Sequence, residues 1–264
     1  MSTQIEQTLL DAFDPYIYTV VFRQERSDDQ RQIIYSIFET AMLDSEVRWG
    51  YDERCIAHIN FLDFACESKM QPQTKTGDPL TPVLMIDSLR KCPTLSGNQT
   101  LSLLEGVARR LLIDTVLLAD RSSFSYKDAN GAYLVPLNVL GILCDGKTWY
   151  NKRGYRATNQ DEIDAHNAAA IEKPLRMNCV YNNFLDHEYF ADKRDNPMRR
   201  VFCEIRQRIR QGDTADIPLH GIVLFLEQIR SDEEDTNADH KIVWITGEFV
   251  YLSKSIPIVP RSSL

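Results

Sequence analysis

The chain has 264 residues, 43% hydrophobic and 26% charged, enough apolar material for one large core or one core with a smaller appendage. Its net charge of −8 argues against nucleic acid as the main partner, because that affinity rests on Lys and Arg neutralising phosphates. No run approaches the roughly 20 apolar residues of a bilayer span, and residues 1–6 lack the basic start and apolar stretch of a secretory signal, so a soluble cytoplasmic protein with no membrane partner is expected.

Residues 16–24 (YIYTVVFRQ) are rich in β-branched and aromatic side chains and predict an opening strand. Ser27 or Asp28 is placed to cap a helix whose Ile33, Ile34, Ile37, Phe38 and Met42 recur at helical spacing. Residues 56–64 predict a second strand, and the polar stretch 67–78 an exposed loop or hairpin end.

The apolar run 82–89 (PVLMIDSL) predicts a buried strand, followed by a turn over 93–98. In the helix after it, Leu101, Leu104, Val107, Ala108, Leu111 and Leu112 form one apolar stripe. Residues 114–120 (DTVLLAD) predict another buried strand, so strand, helix and strand make a crossover unit in a partly parallel sheet.

A polar loop is expected over 121–131, then a short helix over 136–144 with Pro136 in a permitted first-turn position. The segment 145–155 (DGKTWYNKRGY) opens with a turn dipeptide and sets three aromatics among basic residues. Residues 158–174 read as a linker or weak helix. Asn196 and Pro197 stand as N-cap and first position of a helix burying Met198, Val201, Phe202, Ile205 and Ile209. A second helix over 219–230, an acidic loop over 231–239 and a closing strand over 242–252 complete the order, with no internal repeat.

The six cysteines show no C-x-x-C pair and read as reduced structural thiols. The five histidines show no metal-ligand spacing, and no catalytic metal is expected. Arg199, Arg200, Arg206, Arg208 and Arg210 make one helix strongly basic, which reads first as a solvated face and second as a dock for an acidic partner or a nucleic acid.

Trp149-Tyr150-Asn151-Lys152-Arg153-Gly154-Tyr155, downstream of the crossover unit 82–120, resembles the aromatic-Tyr-x-x-x-Gly-aromatic motif of the GNAT family of N-acetyltransferases. The resemblance implies an α/β fold with a mixed, partly parallel central sheet flanked by helices. It also implies an acyl-CoA-binding core over 1–158, with residues 159–264 as an extension of helices and a closing strand. The activity implied is transfer of an acetyl group from acetyl-CoA directly to a primary amine, on a small molecule or a protein, and the acidic balance favours a cationic acceptor. A binding or scaffold protein of the same fold, without catalysis, is the alternative.

By that resemblance Tyr150 occupies the position of the acid that protonates the departing thiolate, and a phenol with a pKa near ~10 suits that task. Asp87 and Asp120, at strand ends, are candidates to receive the amine proton through water, although strand-end carboxylates are more often solvated or capping groups. Backbone groups of residues 82–89, ending at Leu89, would hold the pantetheine arm, and Asn138 would contact the cofactor. The helix-entry turn Thr94, Leu95, Ser96, Gly97 and Asn98 would cradle the pyrophosphate. The family pattern there is Arg or Gln, two residues, Gly, one residue, Gly or Ala, whereas this chain carries one glycine in residues 92–99. Ser96 and Gln99 also spell a capping box, whose side chains would use the same N–H groups, so capping and phosphate binding both stand as readings of the turn.

Overall fold

The structure, a computed structural model, describes residues 2–27, 30–42, 55–62, 83–89, 92–120, 122–128, 131–178, 183–231 and 251–257. The chain is mixed α/β and divides into two units. Met1–Ala119 with Ser253–Leu264 forms the first, and Asp120–Leu252 the second. The boundary expected near residue 158 falls inside the second unit.

The first unit opens with helix α1 (Ser2–Ala12), whose Ile5 and Leu9, with Phe13 just beyond, fall four apart and are buried. Strands β1 (Tyr18–Ser27), β2 (Gln30–Glu39), β3 (Cys55–Leu62) and β4 (Val83–Leu89) then pair antiparallel in sequence order. Helix α2 (Gly97–Arg110) carries the chain across to β5 (Thr115–Ala119), which pairs parallel to β4 with Val83 opposite Thr115 and Ile86 opposite Leu118. A C-terminal strand (Tyr251–Ser255) lies beside β5 at the end of the six-stranded sheet, and Ile256 N–H donates to the Asp114 carbonyl at 2.6 Å. The crossover expected from the sequence is therefore present.

The helix expected around Ile33, Ile34, Ile37 and Phe38 is instead strand β2. Tyr35, Ser36, Ile37, Phe38 and Glu39 are all buried, so both faces of the strand are covered and the period of two that marks a half-exposed strand is lost. What is left in the sequence imitates helical spacing. The stripe expected on α2 also stops early. Leu101, Leu104, Val107 and Ala108 are buried, but Leu112 is exposed and sits at φ 59°. Ile113 N–H bonds the Ala108 carbonyl and Leu112 N–H the Arg109 carbonyl. These two bonds form a Schellman closure in which Leu112 takes the left-handed place that usually holds glycine.

The second unit begins with a hairpin, β6 (Ser123–Asp128) and β7 (Gly131–Pro136), where a polar loop was expected. Alternation explains it: Phe124 and Tyr126 pack against the core, while Ser125 and Lys127 face solvent. Helix α3 (Leu137–Asp145) follows, then α4 (Gln160–Ile171), a full helix where a linker or weak helix was read. The chain continues through α5 (Leu175–Asn178), 3-10 turns over Asn183–Asp186 and Glu188–Phe190, α6 (Met198–Gln211) and α7 (Leu219–Ser231). Pro197, one residue later than expected, is the N-cap of α6. The C-terminal strand above is the eighth in chain order.

Its core is aromatic. Phe184 meets Phe190 and Phe225 at ring separations of 5.1 and 5.3 Å, and Phe202 stacks on Phe225 at 5.7 Å. Burying rings of this size contributes about 2–3 kcal/mol each. Three arginines of the basic helix α6 are engaged in ion pairs: Arg199 with Glu172, Arg206 with Asp145, and Arg208 with Asp213 and Asp216. Residues 67–78, 232–239 and 242–250, expected as loops and part of the closing strand, lie outside the described residues. Among the described residues no helix is long and apolar enough to cross a membrane.

Candidate functional site

Two regions carry the residues singled out in the sequence, one in each unit. In the first unit the region begins on β4. Its pairing with β3 shifts register so that His58 faces Ser88 and Ile59 faces Ile86, which leaves Asp87 as a bulged residue. The parallel pairing with β5 ends at the neighbouring Ile86. Past that point, among the described residues, the β4–β5 ladder does not continue. A bulge re-aims backbone groups and ends a ladder, and such features concentrate beside active sites. Both Asp87 and Leu89 are half-buried.

The turn into α2 is tightly bonded. Ser96 is the N-cap: its hydroxyl accepts from Gln99 N–H at 3.3 Å, and Gln99 Oε1 accepts from Ser96 N–H at 2.9 Å, so the capping box is formed. Leu95 N–H donates to Cys92 Sγ at 3.2 Å. Thr94 N–H donates to Glu39 Oε1 at 3.0 Å, the Thr94 hydroxyl donates to the same oxygen, and Tyr18 donates its hydroxyl to Thr94 Oγ1 at 2.8 Å. The bond from the Thr94 hydroxyl holds the Glu39 carboxyl below its ordinary range, against the opposing effect of burial. The N–H groups of Thr94, Leu95 and Ser96 are thus engaged, and an ionised carboxylate already lies at the place expected to receive a pyrophosphate. Gly97 begins the helix itself, and Asn98, in its first turn, lines an open groove of about 410 Å³ with Leu95, Gln99, Ser102 and Leu103.

The second region is the loop after α3. Gly146 closes the helix at φ 73°, and Gly154 turns the loop at φ 86°, both left-handed positions that suit glycine. Asn151 holds the loop from within: its Oδ1 accepts from Thr148 N–H at 3.0 Å, and its Nδ2 donates to the Tyr155 carbonyl and to Gln160 Oε1, each at 3.0 Å. Trp149 meets Tyr150 edge-on at 4.7 Å, and the Arg153 guanidinium lies 3.5 Å over the Trp149 ring. Tyr155 is fully buried. Gly154 thus allows the tight turn of the loop, and Tyr155 fills the core beneath it.

Tyr150 is buried, and no hydrogen bond to its hydroxyl is present among the described residues. Burial, and after it the nearby Asp120 carboxylate, push the phenol well above its ordinary pKa, with Arg153 opposing. It therefore keeps its proton at neutral pH. Asp120 lies just past β5. Its Oδ1 accepts from Ser122 N–H at 3.2 Å and from the Ser122 hydroxyl at 2.6 Å, while Oδ2 is buried. Burial raises its pKa, with the Ser122 bonds and the Thr148 side chain opposing. Asn138 donates Nδ2 to the Asp120 carbonyl at 2.9 Å, and its Oδ1 is also buried and unpartnered. The fold thus gathers three residues chosen from the sequence: Asp120, Asn138 and Tyr150. Among the described residues the buried Asn138 Oδ1 lacks a donor, an arrangement that in proteins calls for explanation by a ligand, ion or water.

Glu39, Cys92, Ser122, Thr148 and Asn151 were not singled out in the sequence. Asn151 alone had a signal, its place inside the aromatic motif; Glu39 lies 55 residues from the turn it binds. Among the described residues no group of three or more His, Cys, Asp or Glu is arranged to hold a metal ion. Comparisons with protein families, with curated proteins and with solved structures find no match.

Proposed function

We propose that the protein is an acyl-CoA-dependent N-acyltransferase of GNAT type, transferring an acetyl group directly to a primary amine. The observation that carries this reading is the bulge at Asp87, coincident with the end of β4–β5 pairing at Ile86. A strand that bulges and leaves its ladder at this point suits the approach of an amide-bearing pantetheine arm and its thioester. In the second unit, taken by itself, Tyr150 is protonated, the state that a proton donor to a departing thiolate requires. Asp120 would take the amine proton, directly or through water.

The residues suit the two ends of acetyl-CoA unequally. The thioester end suits β4; the pyrophosphate end meets a turn whose Thr94, Leu95 and Ser96 N–H groups are engaged and where Glu39 adds negative charge. That occupancy specifically favours a second reading, a non-catalytic binding or scaffold protein of the same fold. Incubation with acetyl-CoA and a panel of primary amines, following free thiol, separates the two. Thiol release is expected, together with a thermal shift on adding coenzyme A. A Tyr150→Phe variant should lose about 10²-fold or more in kcat while keeping the shift. Absence of thiol release with every amine, together with absence of a thermal shift, would refute the enzyme.

A further inference from the structure

We propose that Cys144 and Cys203 are a redox pair that closes a reversible disulfide between α3 and α6. They stand 59 positions apart in sequence and meet in the core of the second unit. The Cys203 thiol lies 3.4 Å from the Cys144 carbonyl oxygen, to which it donates. Both are free.

The setting suits a bond made in place. Val201, Phe202 and Ile205 of α6 and Leu140 and Leu143 of α3 belong to the same buried cluster. Immediately beside the thiols, Arg206 grips Asp145 with two bonds, at 2.5 and 3.1 Å. These contacts hold α3 and α6 together on both sides of the thiols, so a bond between the sulfurs would form with the two helices still packed.

Exposure assigns the order of events. Cys203 is partly exposed, whereas Cys144 is buried and its thiol is pushed up by that burial. Cys203 is therefore the thiol an outside oxidant reaches first. With glutathione disulfide as oxidant, the Cys203 thiolate attacks one sulfur and forms a mixed disulfide, and the first glutathione leaves as a thiolate that takes up a proton. Cys144, giving up its proton, then attacks Cys203 Sγ, and the second glutathione leaves and is protonated. The two cysteine protons end on two glutathione thiols; the cysteines are oxidised and the glutathione disulfide is reduced. This proposal stands independently of the acyltransferase reading.

The test uses the full chain. It is incubated with glutathione disulfide, quenched in acid, alkylated under denaturing conditions and digested without reduction for mass spectrometry. The expected product is a peptide pair joined through Cys144 and Cys203, lighter by two hydrogens than its parts and separated by dithiothreitol. The thermal midpoint should rise by about 5–10 °C, because the link restrains the unfolded chain. A Cys203→Ser variant should show neither change. Recovery of Cys203 as a glutathione adduct with Cys144 alkylated, both cysteines alkylated, or Cys203 joined to a different cysteine would overturn the proposal. So would a cross-link that leaves the midpoint unchanged or lowers it, because that bond forms only in opened molecules.

Discussion

Neutralising Asp145 should destabilise the protein by an amount the structure allows to be worked out. Asp145 is the last residue of α3, where an acidic side chain opposes the helix dipole. Arg206 offsets that cost with a two-bond grip, and Lys152, from the Trp149–Tyr155 loop, adds a third contact at 2.6 Å. The Arg206 bonds hold the Asp145 pKa down, from an ordinary 3.8 to about 2, against burial. A fall of that size corresponds to about 2.5 kcal/mol at neutral pH. The carboxylate is 26% exposed, and solvent screening trims the figure to about 1–2 kcal/mol.

Because the folded pKa is depressed, this contribution is complete above the unfolded pKa and is lost as pH falls through about 2. At pH 3 about half of it should remain. Urea unfolding of the wild type, Asp145→Asn, Arg206→Met and the double variant at pH 7 should give a coupling energy of about 1–2 kcal/mol. The Asp145→Asn deficit should shrink at pH 3. A coupling below about 0.5 kcal/mol, within the usual additivity error, or a deficit identical at both pH values, would refute the reasoning.

Leu112→Gly should stabilise the first unit by about 1 kcal/mol, since Leu112 is exposed at φ 59° and glycine adopts that backbone without a Cβ penalty; an unchanged urea midpoint would count against the strain. Gly221→Ala on α7 would place a Cβ 2.7 Å from Phe184 Cβ and should cost about 1–3 kcal/mol by displacing the phenylalanine cluster, read as a lower thermal midpoint with altered near-UV dichroism. Ser96→Ala should cost about 1 kcal/mol by removing the capping box, with amide exchange rising first at Gln99, whose N–H loses its acceptor.

What was legible in the sequence was local. The Ser96–Gln99 capping box, the stripe on α2 as far as Ala108 and the crossover from β4 to β5 depend on residues close in sequence, and they appear in the structure as expected. Strand β2 was misread because it is covered on both faces. The hairpin β6–β7 was missed because Ser123, Ser125 and Lys127 made the stretch look like loop, although Phe124 and Tyr126 already alternated with them. Long-range pairs had no signal at all: nothing near Thr94 announces Glu39, and nothing near Cys144 announces Cys203. Of the candidate site, the sequence held Asp120, Asn138 and Tyr150 as separate residues. Their assembly needed the turn through Ser122 and the anchoring of the loop by Asn151.

The strand at Tyr251–Ser255 belongs to a sheet whose other strands are all translated before residue 120. On the ribosome, β1 to β5 emerge early and must wait, with one side of β5 uncovered, while the whole second unit is made. Only when the last residues appear can the strand dock and Lys254 reach Glu105, 149 positions upstream, at 2.8 Å. Assembly of the first unit is thus a two-stage event that brackets the folding of the second. A chain stopped at residue 250 would have every piece of the second unit that the structure describes except its final two residues, yet would expose an open sheet edge of the kind that recruits other chains.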